Sequence, residues 1–125
     1  MKLPLALAAV LLLAGCSSAP TAAEACADVK ASVDRIEDSV QLAAAADSKP
    51  SMRVHFDSVQ ASLTELGDTP IAHEEVSSAS STYVDRGQEW VQEARLALNE
   101  EQNQLDVAQS AWLESRMDLG RACSW

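Results

Sequence analysis

The sequence predicts an all-α fold: an antiparallel four-helix up-down bundle closed by a disulfide. Three observations predict it. Apolar residues return every three or four positions from Cys26 almost to the end of the 125-residue chain, the period of one helical face. Breaker clusters interrupt that pattern at Asp47 to Pro50, at Gly67 to Pro70 and at Asn99 to Gln102, dividing it into four segments. Cysteines stand near the start of the first segment, at Cys26, and at the close of the last, at Cys123. In an up-down bundle those two places meet only when the number of helices is even.

The first helix is predicted over 22–46, with Thr21 as its N-cap. Cys26, Val29, Val33, Ile36, Val40 and Ala43 form one stripe, while Asp28, Lys30, Asp34, Glu37 and Asp38 fall off it. Pro50 ends this helix, because proline disfavours α geometry in the residue before it. The second helix runs from Pro50 or Ser51 to Leu66 on a stripe of Met52, Phe56, Val59, Leu63 and Leu66. Gly67 is its expected C-cap. Asp68-Thr69-Pro70 then offers a cap followed by a first-turn proline.

The stretch from Pro70 to Cys123 supports two readings. Val84, Val91, Leu98, Leu105, Trp112 and Leu119 recur every seven residues. Taken literally, that is one helix of about fifty residues, roughly 75 Å long. The alternative is a hairpin of two helices broken at Asn99-Glu100-Glu101-Gln102. Asn99 can cap a new helix, Glu100 and Glu101 suit its positive end, and Gln102 takes the capping-box position. Glu101 on the stripe also fits a turn there. The serine-rich Ser77 to Thr82 is a weaker place to break.

The first sixteen residues set the compartment. Met1-Lys2 is a short positive region, and Leu3 to Ala14 is an apolar run of signal length, too short for a stable membrane span. It ends in Leu13-Ala14-Gly15-Cys16, which resembles the lipobox of bacterial lipoproteins. The resemblance implies a diacylglyceryl group on the Cys16 thiol and cleavage before Cys16, leaving an amine open to acylation. Two acyl chains at about 0.8 kcal/mol per buried CH₂ make a stable anchor without a transmembrane helix. Ser17 stands where the resemblance would place an inner-membrane retention Asp. The expected location is the extracytoplasmic face of a cell membrane, or the outer membrane in a double-membrane organism. The chain therefore divides into a signal peptide over 1–15, a lipidated tether over 16–21 and a helical domain over 22–125.

Loss of Lys2 leaves eight basic against nineteen acidic residues, 8 − 19 = −11. That charge excludes nucleic acid as a partner and disfavours lying flat on anionic lipid. The apolar content is alanine-rich and aromatics are few: Phe56, Tyr83, Trp90, Trp112 and Trp125. So thin a core in an exported domain calls for a covalent staple. With Cys16 assigned to lipid, Cys26 and Cys123 are left to supply it. Two free thiols and an intermolecular bridge between long coiled coils are the alternatives. An intramolecular bridge would stabilise by about 4–5 kcal/mol through loop closure and would itself require the break at Asn99.

The sequence carries no catalytic constellation. His55 and His73 follow Met52 and Pro70 at three residues, not the Glu of di-metal bundles. Neither a nucleophile elbow nor a glycine-rich phosphate loop occurs. Glu74/Glu75 and Glu100/Glu101 are adjacent in sequence and point to different sides of a helix. No enzyme activity, metal or cofactor is expected. Tyr83 and Trp90, spaced i, i+7, are either core filling or an exposed edge that contacts a partner.

The wider pattern resembles small all-helical lipoproteins of high-GC bacteria. Cys16, Cys26, the Asp47 to Pro50 break and Cys123 match it, and that family brings no assigned activity. The expected role is non-enzymatic: binding, or a structural part in the cell envelope, with the membrane and an envelope protein as partners. A prophage-type lipoprotein that blocks an uptake or envelope apparatus is the alternative, with an unrecognised enzyme a distant third.

Overall fold

The computed structural model describes residues 21–125; Cys16 and the signal segment lie outside the described residues. Four helices follow in order: α1 (Ala22–Ala45), α2 (Lys49–Asp68), α3 (Glu74–Leu98) and α4 (Leu105–Cys123). Each packs on the next in an antiparallel up-down bundle, and α1 meets α4 only sparsely. The predicted stripes are the buried faces. Val33, Ile36, Val59, Leu63, Val76 and Leu119 are wholly excluded from solvent. No described helix is long and apolar enough to cross a membrane.

Cys26 and Cys123 are joined, with their Cα atoms 5.6 Å apart. The bond ties the start of α1 to the end of α4, as an even helix count requires. Beside it the chain folds back. Ser124 adopts a left-handed conformation at φ 58°, and the Trp125 N–H donates to the Gly120 carbonyl at 2.9 Å. The indole of Trp125 lies under two cations, 5.1 Å from the Arg116 guanidinium and 5.7 Å from Lys30 Nζ.

The helix ends follow local chemistry, partly as the sequence implies. Thr21 Oγ1 accepts from the Glu24 N–H, and Ser48 Oγ accepts from the Ser51 N–H, both at 3.2 Å. Gly67 is not a C-cap. It lies inside α2, and the helix closes at Thr69, which Pro70 holds extended. Pro70 does not open the next helix either. Residues 70–73 are non-helical, Ile71 packs against the core, and α3 starts at Glu74. His73 caps it, Nδ1 accepting from the Val76 N–H at 3.4 Å.

The hairpin break at Asn99 is present, but its chemistry differs from expectation. Asn99 closes α3 instead of opening α4. Glu100 turns left-handed at φ 59°. The Glu101 N–H donates to the Leu96 carbonyl at 2.9 Å and the Glu100 N–H to that of Ala97 at 3.1 Å, a Schellman closure. That closure carries the chain outward, so α4 begins only at Leu105. Neither Asn99 nor Gln102 caps it. Asn103 Oδ1 accepts from the Leu105 N–H at 3.1 Å, and Glu93 Oε2 from the Gln104 N–H at 2.8 Å.

Candidate binding groove

The sparse meeting of α1 and α4 leaves a groove in the half of the bundle away from the disulfide. Its volume is about 650 Å³, within the ~300–1,000 Å³ typical of small-molecule sites. The cause lies in the sequence of α1. Near its C-terminal end the inward positions are Val40 and Ala43, with Ala44 at the edge, and alanine is too small to reach α4. The exposed lining residues are Gln41 and Ala44 on α1 and Gln109 and Leu113 on α4. The mouth therefore opens between those two helices.

Aromatic rings form the floor. Phe56 on α2 meets Trp90 on α3 edge-on, with centroids 5.8 Å apart and planes at 87°. Trp90 lies 5.1 Å from Trp112 on α4, and Trp112 lies 5.6 Å from Tyr83 on α3. Gly87 makes that run possible. A Cβ there would lie 2.7 Å from Leu63 Cδ2 and 3.0 Å from Trp112 Nε1, so only glycine lets the indole edge rest on the α3 backbone. Trp112 Nε1 is buried without a hydrogen-bond partner. Because it faces the Gly87 side, its solvation loss is a cost of packing.

Polar groups gather at the end of the groove nearer the disulfide. Arg116 Nε on α4 donates to Glu37 Oε1 on α1, a pair that spans the gap between the helices. Tyr83 stands beside this pair. Burial pushes its phenol far above the ordinary tyrosine range, Glu37 adds to the rise, and Arg116 opposes it. The phenol is therefore a protonated hydroxyl at neutral pH.

Tyr83 and Trp90 do not form an exposed edge: they are 1 % and 9 % exposed. Both α2 and α4 pack on α3, which widens its buried face and turns the i, i+7 pair inward. The two residues line the groove instead. His55 and His73 stand apart: His55 is half-buried on α2 away from the groove lining, and His73 is spent on its cap. No group of three or more metal-ligating side chains occurs among the described residues. Sequence reading missed Glu37, Met52, Leu105, Leu113 and Arg116 as lining residues. Of these only Leu113, an apolar residue off the main α4 stripe, carried a signal of its own, and it does not by itself mark a groove.

No family model matches the chain, and neither does a curated protein or a solved structure.

Proposed function

We propose that this chain is a lipid-anchored, extracytoplasmic binding protein without catalytic activity, and that the groove between α1 and α4 is its binding site. One observation carries the reading: an aromatic-floored apolar groove of about 650 Å³ whose charged residues, Glu37 and Arg116, pair at one end. Such a groove exposes apolar surface to water at a cost of roughly 25 cal/mol per Å². An apolar ligand recovers that cost. A purely structural spacer gains nothing from leaving the groove unfilled.

The anchor belongs to the same proposal. Cys16 would bear the lipid five residues before Thr21, next to the disulfide-closed end. The groove would then lie about 16–27 Å beyond Cys26 along α1, at 1.5 Å per residue, in the half of the bundle farther from the anchor.

Two measurements test the reading. The N-terminal peptide from the membrane fraction should carry a diacylglyceryl or triacyl mass on Cys16; a freely secreted, unmodified protein would remove the anchor. The uncharged dye Nile red should bind the protein with a blue-shifted emission, and Ala44→Phe, which fills the mouth from an exposed position, should abolish the shift. Dye binding that is absent, or equal in both proteins, would refute the binding site.

A further inference from the structure

We infer that the ligand of the groove is an apolar molecule bearing a carbonyl oxygen, and that the Tyr83 hydroxyl holds it by donating to that oxygen. This rests on the binding role proposed above and names its ligand class and anchoring residue.

One hydrogen-bonding group is left over inside the groove. Tyr83 lines it at 1 % exposure, yet its hydroxyl has no hydrogen-bond partner among the described residues. Glu37 and Arg116, the charged groups beside it, bond to each other instead. Nor is the phenol oxygen walled in. Among the described residues, the enclosed side-chain polar atom without a partner is Trp112 Nε1. Part of the little surface that Tyr83 keeps is therefore at its hydroxyl, which opens into the groove it lines. A buried O–H without an acceptor has given up its water and gained nothing in return.

Its neighbours do not share that need. Arg116 and Glu37 keep side-chain exposures of 30 % and 42 %, so their spare donors and acceptors meet water. Gln41 and Gln109 are exposed, and Trp112 Nε1 faces the Gly87 backbone. Tyr83 combines burial with access to the groove.

The phenol decides the complementary atom. Its lone pairs are drawn into the ring, so it donates better than it accepts. It keeps its proton at neutral pH, because burial and Glu37 both resist the tyrosinate. Such a donor calls for an acceptor. A carbonyl oxygen supplies one without bringing a proton of its own that would need a partner. Arg116 holds Glu37 through Nε alone, so its other N–H groups also favour an acceptor at this end. The apolar remainder lies on the floor, where the Trp90 and Trp112 rings, 5.1 Å apart, offer carbon contact.

The test uses full-length lipidated protein in phosphatidylcholine vesicles. Two probes of nearly one shape, 2-acetylnaphthalene and 2-ethylnaphthalene, differ by the carbonyl oxygen. Each competes with Nile red on wild type and on Tyr83→Phe, so partition into the vesicles cancels between the proteins. The ketone should bind wild type about five- to tenfold more tightly than Tyr83→Phe, the worth of one hydrogen bond, and 2-ethylnaphthalene should bind both alike. The carbonyl stretch of the bound ketone should fall to lower frequency in wild type than in Tyr83→Phe, which a change in packing does not produce. A ketone that binds both proteins alike, or an ethyl probe weakened as much as the ketone, would overturn the assignment. So would 2-naphthoate binding more tightly than the ketone and equally to both proteins, which would place the anchor at Arg116. If Ala44→Phe excludes both probes while the ketone ignores Tyr83→Phe, the binding role stands and the carbonyl assignment fails.

Discussion

Replacing both bonded cysteines, Cys26→Ala with Cys123→Ala, tests how the bundle is held closed. The bond spans 97 positions of sequence. At that loop length, the loss of chain entropy in the unfolded state corresponds to about 4.7 kcal/mol at 25 °C. Small domains have about 5–15 kcal/mol in total, so the bond supplies a large share. The structure gives a reason to expect nearly the full value. The helices the bond joins touch each other little elsewhere, so no close α1–α4 interface stands ready to replace it. The α1–α2 and α3–α4 pairings are untouched, and helix content should survive. Equilibrium urea unfolding, followed by far-UV circular dichroism, reads the difference. With an m-value of about 1–3 kcal/mol/M, the midpoint should fall by roughly 1.5–5 M. Matching circular dichroism spectra before denaturation would show that the variant still folds. A loss below about 1 kcal/mol would refute the reasoning, because the α1–α4 contacts would then hold the bundle without the covalent link.

Other predictions concern single residues. Leu63 is fully buried beside Gly87, and Leu63→Ala should cost about 2–5 kcal/mol in the same urea assay. Glu100 pays for a left-handed backbone at φ 59°, so Glu100→Gly should raise stability by about 0.5–1 kcal/mol, seen as a higher melting temperature. Tyr83 is the only tyrosine in the chain, and its folded-state pKa is raised by burial first and by Glu37 second. Folded protein should show no tyrosinate absorbance at 295 nm as pH passes about 10. The unfolded chain releases that proton first, so the contribution is whole below pH ~10 and is lost above it, at about 1.4 kcal/mol per pH unit. Titration of folded protein near 10 would place the phenol in water.

The helices were legible because each apolar stripe marks a face that must be buried. The disulfide was legible because its position at opposite chain ends constrains helix parity. Helix ends were less so. Gly67 had the residue type of a C-cap, yet the left-handed positions fell to Glu100 and Ser124, since the turn geometry is set by how far the chain must travel to the next helix. The groove was not legible at all. A stripe says which way a side chain points, not whether the facing helix comes close enough to meet it. Ala43 and Ala44 matter here for the volume they do not fill, which becomes visible only once α4 is in place. The inward turn of Tyr83 and Trp90 likewise depends on α3 having two neighbours.

Native mass spectrometry of the protein extracted gently from its membrane bears most directly on the groove as a binding site. One apolar molecule per chain should accompany the wild-type protein, beyond the covalent lipid, and be missing from Ala44→Phe. The bare lipidated mass in both proteins, or the same adduct in both, would contradict the account.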